Sequence, residues 1–319
     1  MSAVVNSDLA RFSKEISALG MRPLWERVMR LKGGTDAKAA IWRWGDTRPL
    51  LMRACELITA KQAERRVLML ENPALAGTTF ITPALFAGLQ AIKPGEIART
   101  HRHTPNALRL IVEGEGAYTA VDGERIAMRP GDFIVTPGWS WHDHWNEGPG
   151  PVVWLDGLDT AFANLFGAHF REDYPEEKQS AALARDDSVL SFPFERTRAS
   201  LERMSKSENP HPSHGWKLRY SNPATGRDAF PTMAVFMQWL PKGFAGRPQR
   251  STDGAVYCVV EGRGSVHIGA ARFDFSPHDV FVVPSWEALR FTAAADCAIF
   301  SYSDRAAQEA LGFWREADA

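Results

Sequence analysis

The chain repeats itself. Val259-Val260-Glu261-Gly262-Arg263-Gly264 echoes Ile111-Val112-Glu113-Gly114-Glu115-Gly116, and Pro277-His278-Asp279-Val280-Phe281-Val282-Val283-Pro284 echoes Pro130-Gly131-Asp132-Phe133-Ile134-Val135-Thr136-Pro137. Matching segments about 147 residues apart in a chain of 319 imply one architectural unit used twice. Each echo is a short apolar run closed by glycine or proline, a pattern of short antiparallel strands rather than of helices. From Phe80 onward such turn signals recur roughly every ten residues, at Lys93-Pro94-Gly95, Glu113-Gly114-Glu115-Gly116, Asp122-Gly123 and Arg129-Pro130-Gly131-Asp132. The expected fold is mainly β, with two antiparallel barrels or jelly rolls in one chain.

Around the barrels the pattern changes. Leu9, Phe12, Ile16 and Leu19 recur at helical spacing behind a cap at Ser7, and Pro23 suits the first turn of a helix carrying Trp25, Val28 and Met29. A longer helix is expected from near Pro49, through Leu50, Leu51, Ala54, Leu57 and Ile58, ending before Asn72-Pro73. The expected organisation is a helical segment over 1–75, a first barrel over 76–165, an irregular linker over 166–230, a second barrel over 231–305 and a tail over 306–319.

Chemistry concentrates in the first barrel. Alternate residues of a strand share a face, so His101 and His103 can aim at one ion while Arg102 turns away. Gly95 lies six positions before His101, and Gly131 precedes Pro137, His142 and Asn146 in Gly-x5-Pro-x4-His-x3-Asn. These spacings fit the two cupin motifs, with His101, His103 and His142 as three ligands of a divalent metal. Many cupins add a glutamate five residues after the second histidine, where this chain has Leu108. A neutral three-histidine face would leave about three positions open on an octahedral ion, room for a bidentate anion and dioxygen. Projected onto the second repeat, the ligand positions fall on Gln249, Ser251 and Leu289, so that barrel is expected to bind no metal. His267 and His278 fall at no ligand position, and His211 and His214 read as a surface pair in the linker.

Composition narrows the function further. Thirty-seven basic against thirty-eight acidic residues argue against a nucleic-acid or membrane-surface partner. Three widely spaced cysteines, Cys55, Cys258 and Cys297, imply no disulfide framework. With neither a secretory signal at Met1–Leu9 nor an apolar run long enough to span a bilayer, a soluble cytoplasmic protein is expected.

On these motifs, together with Trp154-Leu155-Asp156-Gly157-Leu158-Asp159, the chain resembles the gentisate 1,2-dioxygenase family, which includes salicylate and 1-hydroxy-2-naphthoate dioxygenases. The resemblance implies Fe(II) on His101, His103 and His142, and a homotetramer of bicupin subunits. It implies an extradiol-type reaction that opens the ring of gentisate, giving maleylpyruvate, or of a related salicylate. It further implies Arg109 and Arg65, or the neighbouring Arg66, near the substrate. Gln90 and His144 would stand beside the site, with Asp156 supporting His144 and His144 acting with Arg109 in catalysis. Phe86 stands where gentisate enzymes tend to carry tyrosine, so salicylate or 1-hydroxy-2-naphthoate are alternative substrates. A Zn- or Mn-dependent bicupin isomerase or decarboxylase, and a non-catalytic ligand-binding bicupin, are the readings from other classes.

Overall fold

The computed structural model describes residues 2–26, 33–180 and 188–319. Residues 1–33 form one compact unit and residues 34–319 another. The first holds the helix Ser2–Ser17 and a 3-10 turn at Leu24–Glu26, joined by a hydrogen bond from the Ser13 hydroxyl to the Glu26 carboxylate. Ser7, expected as a cap, lies inside that helix. Val28 and Met29 of the second expected helix lie outside the described residues.

The larger unit contains two eight-stranded antiparallel barrels. In the first, Phe133–Thr136, Ala107–Glu113, Val152–Leu158 and Phe86–Ile92 lie side by side in one sheet. Ile97–His103, His142–Asn146, Ala117–Val121 and Glu124–Met128 form the other. The second barrel repeats this order with Val280–Val283, Ala255–Glu261, Cys297–Ser303 and Ala234–Leu240 facing Gln249–Ser251, Leu289–Ala293, Gly264–Ile268 and Ala271–Phe275. The correspondence extends to single residues. His101 pairs with His142 on the neighbouring strand of the first barrel as Gln249 pairs with Leu289 in the second. Trp139 and Trp286, both at positive φ (65° and 67°), each donate their backbone N–H over 2.7 Å to the equivalent carbonyls of His103 and Ser251.

The repeat is larger than its barrels. The strand Ala40–Trp42 and the helix Trp44–Leu57 are matched by the strand Ser191–Phe192 and the helix Phe194–Ser207. Each of these arms docks on the barrel of the other half. Ala40–Trp42 extends the second barrel at Val280–Val282, and Ser191–Phe192 extends the first at Phe133–Ile134. Asp279 Oδ1 accepts the backbone N–H of Trp44 (2.7 Å) and Asp132 Oδ1 that of Phe194 (2.9 Å), so a carboxylate receives the free amides at the start of each helix. Arg48 then forms a bidentate pair with Glu113 (2.6 Å), and Arg198 a single, longer ion-pair contact with Glu261 (3.5 Å).

These elements correct three expectations. The segment over 34–75 is only partly helical, since Ala40–Trp42 and Val67–Met69 are strands and the long helix starts at Trp44 rather than near Pro49. The stretch over 166–230 carries strands at Arg171–Asp173, Ser191–Phe192 and Trp216–Arg219 besides the helix Phe194–Ser207. The final residues form the helix Arg305–Ala310 and the strand Glu316–Asp318, which pairs with Gln249–Ser251. Strands of three residues are too short to reveal an alternating pattern.

The barrels share one apolar core. Leu108, Leu110, Val153 and Leu155 of the first meet Val256, Met237, Phe300 and Tyr302 of the second. Tyr302 donates its hydroxyl to the Phe86 carbonyl (2.8 Å), and a Cβ at Gly157 would lie 2.6 Å from the Tyr302 ring. Inside the second barrel, Tyr257, Phe275, Phe281 and Phe291 fill space with rings.

Candidate metal centre

The pleat of Ile97–His103 sends His101 and His103 inward and Arg102 outward, where its guanidinium lies over Trp139 and Trp141 at 4.4 and 4.3 Å and pairs with Glu172. A register shift between Ala98 and His101 brings His101 opposite His142. Beneath these strands, Asp143 accepts from the Thr100 hydroxyl (2.6 Å) and the Gln179 amide (3.0 Å), fixing the floor of the site.

The available nitrogens of His101, His103 and His142 lie within 4.8 Å of one another, and all three residues are buried. Each Nδ1 faces a carbonyl two residues away: Arg99 (2.9 Å), Pro105 (2.8 Å) and Ser140 (3.0 Å). A carbonyl only accepts, so each ring carries its proton on Nδ1 and directs the Nε2 lone pair at the common centre. Nε2 of His101 and of His142 is buried without a hydrogen-bond partner. Burial, reinforced by the charge of Arg65, lowers His101 to about 2 and His103 to about 3; burial also drives His142 well below its ordinary value. Three neutral imidazoles with converging lone pairs are a donor set for a divalent transition metal.

Leu108 is not the missing acidic ligand position. It is fully buried in the core between the barrels, and strand alternation instead turns Ala107 and Arg109 toward the metal side. The three-histidine face stays neutral because the inward residue is alanine.

Beside the histidines is a cavity of about 200 Å³. It brings together Arg65, Phe86, Gln90, Arg109, His144 and Asp156, the residues expected from sequence near the metal. Phe86, Gly88 and Gln90 share a face with Leu158, Asp156 and Trp154 through direct pairing, and Arg109 pairs with Asp156 from the other side. Val67, Thr79, Ala107, Leu158 and Thr160 complete the wall. Strand parity with Arg109 and Asp156 signals Ala107 and Leu158; nothing in the sequence signals Thr79.

Two charges meet inside. Arg109 Nε lies 3.5 Å from Asp156 Oδ1, and its Nη1 donates to the Thr136 hydroxyl. Burial raises Asp156 to about 6 against the pull of Arg109 and Arg65. Its ion-pair partner is therefore Arg109, and among the described residues no hydrogen bond joins it to His144, the support expected from the resemblance. His144 keeps Nδ1 unpartnered, is held neutral by burial, and packs on Trp154 at 5.1 Å between ring centres.

The chain turns at Glu64 (φ 54°), and its two neighbouring arginines part company. Arg66 is buried against Glu96 and the carbonyls of Cys55, Ile58 and Ala91. Arg65 lines the cavity with Nη2 buried and without a hydrogen-bond partner, and burial lowers its guanidinium to about 10.

A two-sheet antiparallel barrel presenting three buried imidazoles beside a cavity with arginines defines a metal-binding cupin, here doubled into a bicupin with one three-histidine face. A cupin-domain family model matches residues 88–157. Gentisate 1,2 dioxygenase 1 of Aquipseudomonas alcaligenes is 43% identical, over 98% of this chain and 97% of that protein. The 1-hydroxy-2-naphthoate 1,2-dioxygenase of a Nocardioides species is 32% identical, over 97% of this chain and 87% of its own. Salicylate 1,2-dioxygenase from Pseudoaminobacter salicylatoxidans, in its adduct with gentisate, superimposes with a TM-score of 0.89 at 29% identity, covering 98% of this chain and 94% of that one. The chain belongs to the gentisate 1,2-dioxygenase family of ring-cleaving dioxygenases, with the salicylate and 1-hydroxy-2-naphthoate enzymes.

Proposed function

We propose that the protein is an Fe(II)-dependent dioxygenase that opens the ring of gentisate, or of a related salicylate, between the carboxyl-bearing carbon and its hydroxyl-bearing neighbour. Both oxygen atoms enter the product, which for gentisate is maleylpyruvate. The observation that carries this reading is the convergence of three neutral Nε2 atoms beside a cavity whose Arg65 guanidinium lacks an internal acceptor. Ferrous iron on His101, His103 and His142 would supply the redox chemistry toward dioxygen and the positive charge that holds a carboxylate and its ortho-hydroxyl together.

The remaining residues bind and orient. Arg65, with no internal acceptor, takes the substrate carboxylate, and Arg109, whose Nε also lacks a hydrogen bond although it lies 3.5 Å from Asp156, supports it from the same cavity. His144, neutral with Nδ1 unpartnered, exchanges a proton with the ring oxygens, while Gln90 Nε2, also unpartnered, donates a hydrogen bond. Phe86 and Leu158 exclude water and offer no hydroxyl for a second ring substituent, which favours salicylate or 1-hydroxy-2-naphthoate as the competing substrate class. We place the protein in the cytoplasm as a homotetramer; no helix among the described residues is long and apolar enough to cross a membrane.

The test is oxygen uptake by protein loaded anaerobically with Fe(II) and offered gentisate, salicylate and 1-hydroxy-2-naphthoate in turn. Uptake stoichiometric with loss of the aromatic ring supports the proposal. No uptake with any of the three refutes it.

A further inference from the structure

The ligand-free barrel holds a cavity of about 220 Å³ at the place equivalent to the metal-side cavity. Ser301 pairs with Phe236 and Tyr257 as Asp156 pairs with Gly88 and Arg109. Lys217 pairs with Gln238 as Val67 pairs with Gln90. Substitution at matched positions has narrowed the space with Phe236 and Leu289 without closing it. It has lined it with Lys217, Gln249, Ser251, Tyr257, Ser301 and Ser303.

Two cations of this cavity, Lys217 and Arg250, have no ion pair among the described residues; Arg250 lies over the Trp286 ring at 5.2 Å, and the other charges are paired or exposed. Arg219 is paired with Asp228 (2.6 Å) and Glu309 (2.6 Å), and Arg305 with Glu309 (2.7 Å). Asp253 accepts from the Trp314 indole (2.9 Å), while Glu287 and Glu316 are exposed. Lys217 has neither an ion pair nor a side-chain hydrogen bond among the described residues, and its ammonium rests over the Phe236 ring at 4.2 Å. The side chains of Gln249, Ser251 and Ser301 likewise make no hydrogen bond among the described residues. A cation without a direct ion pair, ringed by unused donors in a walled space, is a receptor for an anion with several acceptor oxygens.

We propose that the cavity of the second barrel is a binding site for a small carboxylate, held by the Lys217 ammonium with the Gln249 amide and the hydroxyls of Ser251 and Ser301. None of these residues lines the cavity beside the histidines, so the proposal is independent of the reaction assigned there. Burial lowers Lys217 to about 8, with Asp253 holding it up against Arg305, so the amine is also chemically addressable near neutral pH.

The experiment is competitive acetylation of the metal-loaded, anaerobic enzyme with acetic anhydride near pH 8, with Lys217 read by peptide mass spectrometry. Salicylate and maleate, an aromatic and an aliphatic carboxylate, are added separately against chloride at equal ionic strength. At saturation one or both should slow acetylation of Lys217 at least tenfold, and which one does so identifies the source of the carboxylate. The half-protecting concentration should rise at least tenfold in Gln249→Leu and Ser301→Ala but stay unchanged in Arg65→Met, which alters only the first cavity. Failure of Lys217 to label in the free enzyme, absence of protection by either anion, or protection lost in Arg65→Met overturns the proposal.

Discussion

Arg65 and Arg66 are adjacent in sequence, yet their replacement by methionine should fail in different assays. Arg66 is 4% exposed and gives its guanidinium to Glu96 and to three backbone carbonyls. Removing one partner of such a buried pair costs about 3–5 kcal/mol, because the other is left without its counter-charge. Glu96 is partly hydrated and also accepts the Lys93 N–H (2.7 Å), so the lower end, about 3 kcal/mol, applies to Arg66→Met. With a urea dependence near 3 kcal/mol per molar, that shifts the midpoint of unfolding down by about 1 M. Arg65 has nothing to lose internally at Nη2, so Arg65→Met should leave the midpoint within about 0.3 M. Its effect should appear in catalysis. A hydrogen bond to a charged group is worth about 1.5–3 kcal/mol, or roughly a 10- to 100-fold rise in KM for the aromatic acid, with a smaller change in kcat. Urea melts of both variants and oxygen uptake against substrate concentration separate the two roles. A KM within twofold of wild type in Arg65→Met, or an unshifted melt in Arg66→Met, would refute the argument.

Three further outcomes follow from the geometry. His142→Ala should bind less than a tenth of a metal equivalent per chain, measured by elemental analysis, since two facial imidazoles cannot hold the ion. Burial raises Asp132 to about 6, so the folded protein keeps a proton that the unfolded chain releases between about pH 4 and 6, and wild type loses stability as pH rises through that window. Compared with Asp132→Asn, which lacks this slope, wild type should lose about 2 kcal/mol between pH 4 and 8 in urea melts, allowing for partial hydration of the carboxylate; parallel pH profiles would exclude the effect. Gly157→Ala should destabilise by about 1–3 kcal/mol through collision with the Tyr302 ring, and adding Tyr302→Leu should recover most of it in thermal melts.

The readable parts of this chain were those where chemistry imposes spacing. Alternation within Ile97–His103 and the fixed run from Gly131 to Asn146 point to three imidazoles on two adjacent strands that do converge, and the offset between repeats sets Gln249 and Leu289 at the places of His101 and His142, where they pair in the same way. Spacing alone does not tell Leu108 from Ala107 as the acidic position, because the motif permits one more or one fewer residue before it, and only strand parity decides. Asp156 was matched to His144 by resemblance, whereas the nearby positive charge of Arg109 claims it. The arms were hidden for another reason. Trp44 and Phe194 or Arg48 and Arg198 match only as isolated residues, and no local pattern tells a helix that its docking surface lies on the other half.

That exchange of arms ties the fate of the metal centre to a barrel that carries none of its ligands. A fragment ending at Asp173 would contain the three converging imidazoles and both cavity arginines, yet Ala40–Trp42 would have no edge to extend and Trp44 no Asp279 to begin from, while Phe133–Thr136 would lose the strand that covers it. The two halves are thus locked like a pair of crossed forearms. Duplication has made the three-histidine copy dependent on the second barrel for completion, which leaves that barrel's interior free to differ but not its outer seams.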